Sequence, residues 1–363
     1  MPRVRGLVVP DLGQTVQGVR NRLARVTRVT EEALQTAVDG EVVVVRLPDP
    51  EGAASTVRLW SDLELGDTTF TPVAGGWELR LTDLPVDLLE YMIDVDDDLQ
   101  IDATNPQTVE GAFGAHSWVS LPGYRPPAWL DAPRVSGESR ELRIDDVDVV
   151  LWEPPDAEHL LLAHDGPEMA AYGGLLDFVA AAIAAGAIPP TRVALLDPGP
   201  RNERYSANPK YAATLSDAVV PELLAAAPTL ADPVVLGQSL GGVAALHAAW
   251  TSPTRYAGLL LQSGSFFTPE LDEQESDFEF WDEVTGFVSS LLAATQAAPE
   301  APAVTMTCGS AEENIENNRL MRDHLTSTGL DVAWGETRQG HTWTCWRDLL
   351  DPHLTDLLHR VWT

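Results

Sequence analysis

The chain has 363 residues, 44% of them hydrophobic, which is enough apolar material for one large core or two smaller ones. Its 55 acidic residues against 23 Lys and Arg give a formal net charge of −32, so we expect its surface to repel nucleic acid and anionic membranes. Two cysteines, Cys308 and Cys345, are too few for a disulfide framework or a zinc site, and we expect them to be free thiols.

The amino-terminal residues include a short apolar run that Pro10 and Asp11 end. This run is shorter than the core of a signal peptide, and no run in the chain reaches the length of a membrane span. We therefore expect a cytoplasmic protein. Residues 11–38 mix polar and apolar positions in a way that predicts a leading helix.

Short strands are predicted between residues 41 and 120. The segment 75–84 alternates so that Trp77, Leu79 and Leu81 share one face, and the segment 89–95 alternates in the same way. Alternation with a period of two, interrupted by turn residues, is typical of an antiparallel β-sandwich. A proline-rich linker follows over 121–133. We therefore expect an N-terminal β-sandwich domain over 1–135 and a second domain over 136–363.

The second domain alternates predicted strands and helices. A strand pair over 142–154 is followed by strands at 159–165, 192–199, 233–239, 257–265, 303–309 and 331–337, with helices between them and one closing helix over 345–362. Such alternation favours a mostly parallel sheet with helices on both faces. The fold class expected is α/β, of the α/β-hydrolase type.

The most specific motif is Gly-Gln-Ser-Leu-Gly, residues 237–241. A short apolar strand precedes it and an apolar helix follows it, which is the setting of a nucleophile elbow. In this turn a serine hydroxyl is exposed at a helix N-terminus, whose dipole favours developing negative charge. Ser239 is therefore the candidate nucleophile, and the alternative is a structural strand-to-helix turn.

Ser239 needs a base, and the fold supplies it in the chain order serine, acid, histidine. His341 lies in a glycine-containing loop after the last predicted strand, where this order requires the base. Glu312 and Glu313 both follow the preceding strand, and Glu312 is preferred because it is nearer the strand end. Backbone N–H groups of Leu240 and Gly166 are expected to form the oxyanion hole.

These residues, with several flanking motifs, resemble the enterochelin esterase family. The resemblance covers most of the chain. It rests on residues 90–107, the linker, Leu-Ala-His-Asp-Gly at 162–166, and Arg201 with Glu203, Tyr205 and Asn208. It rests further on Gly-Gln-Ser-Leu-Gly-Gly at 237–242, on 259–266, and on Gly-His-Thr-Trp-Thr-Cys-Trp-Arg at 340–347. The family pairs an N-terminal immunoglobulin-like (early-set) sandwich with an α/β-hydrolase domain.

The resemblance implies hydrolysis of the ester bonds of cyclic catecholate siderophores such as ferric enterobactin. The expected partner is a small-molecule ester, and neither a cofactor nor a metal is expected in the protein itself. Arg201 and Trp343 are the candidate substrate-binding residues. Packing is the alternative for Trp343, and a surface ion pair with Glu203 or Asp197 is the alternative for Arg201.

Two positions depart from the family pattern. Thr342 follows His341 where the family often has aspartate, and His164 precedes the Asp-Gly loop where an apolar residue is expected. A general carboxylesterase, an acyltransferase or a peptidase on the same scaffold would use the same triad. The acidic stretch over 271–280 is a candidate lid. A non-catalytic binding module would have lost a triad member, and none is missing.

Overall fold

The structure is a computed structural model that describes residues 35–111, 114–226 and 229–363. The predicted leading helix over 11–38 lies outside the described residues up to position 34. Its last part is wrong, because Ala37–Asp39 is a strand that pairs antiparallel with Val42–Val44. Pairing with a neighbouring strand outweighs the weak local preference of these three residues.

Residues 37–111 and 114–120 form two antiparallel sheets. Their strands are β1 (Ala37–Asp39), β2 (Val42–Pro48), β3 (Val57–Trp60), β4 (Thr71–Val73), β5 (Gly76–Leu81), β6 (Leu88–Val95), β7 (Asp98–Gln100), β8 (Thr108–Gly111) and β9 (Gly114–Ser120). The strand orders are β1-β2-β5-β4 and β3-β6-β9-β8, with β7 paired to β6. Both sheets contribute to one buried cluster, which includes Val43, Leu79, Leu89 and Ile93. The alternation predicted for 75–84 and 89–95 is therefore confirmed.

Residues after the linker form a mixed sheet that has eight strands within the described part of the chain. They are β10 (Glu138–Ile144), β11 (Val147–Glu153), β12 (His159–Ala163), β13 (Thr191–Leu196), β14 (Val234–Gln238), β15 (Gly258–Gln262), β16 (Ala303–Gly309) and β17 (Val332–Thr337). Their order is β10-β11-β13-β12-β14-β15-β16-β17. All pairs from β13 to β17 are parallel, whereas β10, β11 and β13 pair antiparallel.

Helices cover both faces of this sheet. They are α1 (Gly166–Ala171), α2 (Leu175–Ala184), α3 (Arg201–Tyr205), α4 (Pro209–Thr214), α5 (Val220–Ala226), α6 (Leu240–Thr251), α7 (Trp281–Leu292), α8 (Ile315–Ser327), α9 (Trp343–Asp348) and α10 (His353–Trp362). A π-helical turn over Leu215–Val219 joins α4 to α5. Two separate buried clusters lie on the two faces of the sheet, as the alternating pattern predicts.

The single closing helix predicted over 345–362 is wrong. The segment forms two helices, α9 and α10, which are separated at Pro352. Proline has no N–H to donate and its ring clashes with the preceding turn, so the first helix cannot continue through it. In the described ranges 35–111, 114–226 and 229–363, no helix is long and apolar enough to cross a bilayer.

Candidate active site

Ser239 lies at the turn between β14 and α6. Its backbone has φ 54° and ψ −127°, a strained combination for a residue with a side chain, and the strain lifts the serine above the end of the strand. The turn is tight because Gly237 approaches Gly241. A methyl group on Gly237 would lie 2.1 Å from the Gly241 carbonyl oxygen. The geometry agrees with the strand–turn–helix setting expected from the motif.

The acid and the histidine lie together at the carboxyl ends of β16 and β17. His341 Nδ1 is 2.8 Å from Glu312 Oε2, and the Glu312 side chain is fully buried. An ionised carboxylate only accepts hydrogen bonds, so Nδ1 carries the proton and Nε2 is left with the lone pair. Glu313 is exposed, so of the two candidates it is Glu312 that contacts His341.

Two further groups fix the other carboxylate oxygen of Glu312. The Ser263 hydroxyl donates to Oε1 at 2.6 Å, and the Gly309 N–H donates to the same atom at 2.7 Å. Trp346 Nε1 in turn donates to the Ser263 hydroxyl at 3.0 Å. The Trp346 ring also packs edge-on against His341, with centroids 5.0 Å apart. Glu312 is therefore held in one orientation toward the imidazole.

Opposing influences act on the His341 imidazole. Burial disfavours its charged form, but the charge of Glu312 and its hydrogen bond outweigh this effect and raise the pKa of His341 above its ordinary value. The Ser239 hydroxyl has a different partner, Ser265 Oγ at 3.2 Å. Among the described residues no hydrogen bond joins Ser239 to His341, a looseness that is common before substrate binds.

The two predicted oxyanion residues each open a helix. Leu240 begins α6 and Gly166 begins α1, so their N–H groups have no intrahelical acceptor. Gly166 lies directly against β13, because an added methyl group there would be 2.4 Å from Leu195 Cα. No larger residue fits this approach to the sheet.

Arg201 makes neither of the surface ion pairs considered as the alternative to substrate binding. Its Nε and Nη2 donate to the two oxygens of Asp165 at 2.7 and 2.8 Å, which is a bidentate pair. The Asp165 side chain is 3% exposed whereas the Arg201 side chain is 34% exposed, so part of the arginine side chain is accessible while its anchor is buried. Asp165 also accepts a 3.3 Å hydrogen bond from Gln238, the residue before the nucleophile. The pair therefore lies beside the elbow.

His164 is a core residue. It is fully buried, its Nδ1 is 3.3 Å from the Leu236 carbonyl oxygen, and it packs edge-on against Tyr205. Burial lowers the pKa of His164 to about 4, so the ring is neutral near pH 7. This departure from the family pattern adds no charge to the oxyanion loop.

Trp343 begins α9 and is half-buried between aromatic neighbours. Its ring centroid is 4.8 Å from that of Trp346 and 5.7 Å from that of Tyr172. Packing therefore accounts for part of its surface, and the remainder is open. Cys308 and Cys345 are both buried, and they are free thiols as expected.

The acidic stretch over 271–280 is anchored at its start by Asp272, which accepts hydrogen bonds from Thr268 N at 2.8 Å and Asn317 Nδ2 at 2.7 Å. Near its end Glu279 accepts a hydrogen bond from Asn202, next to Arg201. The stretch thus reaches from α8 to α3 at the site edge of the sheet. Among the described residues no cluster of three or more His, Cys, Asp or Glu side chains could hold a metal ion.

Sequence reasoning missed Asp165 and Ser263 as parts of the site. Ser263 directly follows β15 and Asp165 lies two residues after β12, at the edge where the side chains of a parallel sheet gather, and that position was the available signal.

Comparisons with known proteins find similar sequences and structures. Residues 149–357 match the family described as "Putative esterase". The iron(III) enterobactin esterase of Dickeya dadantii (strain 3937) is 31% identical over 204 residues, which cover 54% of this chain. That match spans 46% of the Dickeya protein, so it reaches less than half of that relative's length. The iron(III) salmochelin esterase of Escherichia coli O6:H1 is 26% identical over 354 residues, covering 92% of this chain and 83% of that protein.

Solved structures give the same picture for the fold. The enterobactin esterase of Shigella flexneri, crystallised in the presence of 2,3-di-hydroxy-N-benzoyl-serine, superposes with a TM-score of 0.73 over 91% of this chain and 97% of that chain. A ferric enterobactin esterase from Salmonella typhimurium gives 0.71 over 88% and 93%. Both are 19% identical to this chain, so they show a shared fold.

Proposed function

Because the chain belongs to the Putative esterase family, we propose that it is a serine esterase that hydrolyses the ester bonds of a catecholate siderophore such as ferric enterobactin. The observation that carries the proposal is the hydrogen bond of His341 to the buried Glu312, together with a half-buried serine in a strained strand-to-helix turn. The substrate class rests on the curated relatives, which are named as iron(III) enterobactin and salmochelin esterases. The cytoplasmic location expected from the sequence is part of this proposal.

In the proposed mechanism His341 Nε2 removes the proton from Ser239 Oγ as the oxygen attacks the ester carbonyl carbon. The resulting oxyanion is stabilised by the N–H groups of Leu240 and Gly166. His341 then gives the proton to the leaving alcohol, and an acyl-enzyme remains on Ser239. Water attacks the acyl group with His341 again as the base, which releases the acid and restores the serine.

We further propose that the chain divides near residue 135 into an immunoglobulin-like sandwich and an α/β-hydrolase domain. The separation of the buried clusters supports this division. The cluster shared by the two N-terminal sheets is built from residues 43–121, whereas the clusters on the faces of the mixed sheet begin at Trp129.

The experiment that tests the function is a product assay with the full chain. Purified protein is incubated with ferric enterobactin, with its linear esters and with a p-nitrophenyl ester, and the products are separated by chromatography. The proposal expects the trilactone to be opened stepwise to the catechoyl-serine monomer. If only the p-nitrophenyl ester were hydrolysed, the protein would be an esterase, but the proposed siderophore substrate would be wrong.

In the same assay, Arg201→Ala is expected to reduce ferric-siderophore hydrolysis at least about tenfold more than p-nitrophenyl ester hydrolysis. Asp165 fixes the guanidinium beside the elbow, and we propose that its remaining N–H groups pair with catecholate oxygens when substrate binds. Both rates are also expected to drop together to some extent, because the substitution leaves Asp165 buried without its partner. The ratio of the two rates is therefore the readout.

Arg143→Ala is the matched control, because Arg143 is an exposed arginine paired with Asp148 away from the site. It should leave both rates at the wild-type level. An equal loss on both substrates in Arg201→Ala would count against a substrate role for Arg201.

Glu312→Gln is expected to lower kcat on either substrate by about two orders of magnitude, less than loss of the serine or the histidine. A glutamine can keep its oxygen on Ser263 and Gly309, so its amide nitrogen then faces His341 Nδ1. That arrangement favours the wrong tautomer, with the proton on Nε2. Glu313→Gln is the control, since Glu313 is exposed. If Glu313→Gln lowered kcat strongly and Glu312→Gln left it unchanged, the assignment of Glu312 as the acid would be wrong.

A further inference from the structure

The loop that carries His341 is hydrogen-bonded to the segment between β5 and β6 of the N-terminal sheets. Arg338, at the start of this loop, donates from Nε to Asp87 Oδ1 at 3.0 Å and from Nη2 to the Leu84 carbonyl oxygen at 3.0 Å. The Asp87 N–H donates back to the Arg338 carbonyl oxygen at 2.7 Å. The position of the loop therefore depends on the N-terminal part of the chain.

A second contact lies next to the histidine itself. The loop after β3 brings Leu63 and Asp62 against Gly340, the residue that precedes His341. A methyl group on Gly340 would lie 2.7 Å from Leu63 Cδ2 and 3.2 Å from Asp62 Oδ2. A larger residue at this position would have to displace the Leu63 side chain. The contact brings a carboxylate from the N-terminal sheets within one residue of the candidate base.

Several carboxylates surround His341. Glu312 is hydrogen-bonded to it, and Asp62 and Glu313 add to the charge that favours the imidazolium. Glu275, from the acidic stretch over 271–280, also interacts electrostatically with the ring. Asp62 is the one of these four that belongs to the N-terminal sheets.

The surroundings of Asp62 favour the protonated form of its carboxyl group. Desolvation of the carboxylate by the surrounding protein, followed by the charge of Glu90, raises the pKa of Asp62. Interaction with His341 acts in the opposite direction and Glu312 adds to the increase. Because each side chain affects the charge of the other, Asp62 and His341 interact electrostatically. Glu90, which also acts on Asp62, lies 3.6 Å from His116 Nδ1.

We propose that Asp62 is a positioning residue for His341, through which the N-terminal sheets hold the histidine loop and stabilise the imidazolium that forms during catalysis. The inference rests on the proposed serine esterase function and extends it, because it assigns a role in the chemistry to the N-terminal sheets. Asp62 contacts the loop rather than the reacting atoms. Its effect is therefore expected in the protonation of His341 and in kcat, not in substrate affinity.

Asp62→Asn removes the charge and keeps the shape that packs on Gly340. A nearby carboxylate favours protonated histidine, so its removal should lower the His341 pKa and move the acid limb of the pH–rate profile to lower pH by roughly half a unit. With less stabilisation of the imidazolium, the plateau kcat should fall by up to about threefold, with KM for a p-nitrophenyl ester unchanged. Asp62→Glu, which retains the charge, should restore the limb toward the wild-type position.

The matched control is Glu64→Gln, which removes one charge from the same loop at an exposed position. It should leave both the limb and kcat unchanged. The His341 ring can also be titrated directly by NMR in the full chain, with its signal assigned by its loss in His341→Gln. An identical His341 titration midpoint in wild type and in Asp62→Asn would overturn the inference.

The two proposals fail in different ways. If Ser239→Ala hydrolysed esters as fast as the wild type, the proposed function would fail, while the NMR titration would still decide whether Asp62 acts on His341. If Ser239→Ala were inactive and the titration unmoved in Asp62→Asn, only the role of Asp62 would fail.

Discussion

Replacing Ser239 with alanine is expected to lower ester hydrolysis by at least about three orders of magnitude, or about 4 kcal/mol of transition-state stabilisation. The serine lies in the strained turn between β14 and α6, and the variant removes the only atom that the mechanism attaches to the acyl group. Binding and oxyanion stabilisation remain, so a small residual rate is expected. The measurement is kcat/KM on a p-nitrophenyl ester, with circular dichroism to verify folding.

Ser265→Ala is the matched control for this variant. The Ser265 hydroxyl is 3.2 Å from Ser239 Oγ, so the control removes a neighbouring hydroxyl of the same site without removing the nucleophile. Its rate should stay within about tenfold of the wild type, the size of effect expected when a single neutral hydrogen bond is lost. A Ser239→Ala protein with a near wild-type rate would rule out the serine as nucleophile.

Replacing His341 with alanine is expected to produce a loss of similar size, because a serine hydroxyl without its base is a poor nucleophile. In the wild type the base works only when it is neutral. The carboxylates around His341 raise its pKa, so activity should be full above that raised value and fall as the pH drops through it. The measurement is the pH dependence of kcat/KM in the wild type and in the variant.

His359→Ala serves as its control, since His359 lies exposed near the end of α10. That variant should keep both the wild-type rate and the wild-type acid limb. An acid limb that persisted unchanged in the residual activity of His341→Ala would mean that another group sets the pH dependence.

Local patterns were sufficient for much of the fold. The strand-to-helix setting of Gly237–Gly241 predicted the elbow, and the order of elements predicted His341 as the candidate base. Nearness to the strand end favoured Glu312 over Glu313, and Glu312 is the one that contacts His341. These features depend on the order of the elements along the chain and on where each strand ends. Hydrophobic periodicity indicates both, and side chains at the carboxyl ends of parallel strands gather at one edge of the sheet.

Long-range contacts were not available from such patterns. The partner of Arg201 is Asp165, which is distant in sequence, and only the packing of β13 beside β12 brings the two together. The contact of Asp62 with the His341 loop joins the N-terminal sheets to the end of β17, and no local signal encodes that docking. Strand β1 likewise depends on its partner β2 for its conformation.

If Ser239 is the activated nucleophile of an esterase site, it should react covalently with a serine-directed reagent. The full chain is incubated with a fluorophosphonate, which mimics the tetrahedral intermediate, and the adduct is measured by mass spectrometry of the intact protein and of its peptides. One adduct per chain is expected on Ser239, formed much more slowly in His341→Ala and absent in Ser239→Ala. An adduct on another residue, or equal labelling of the wild type and Ser239→Ala, would contradict the assignment of Ser239 as the nucleophile.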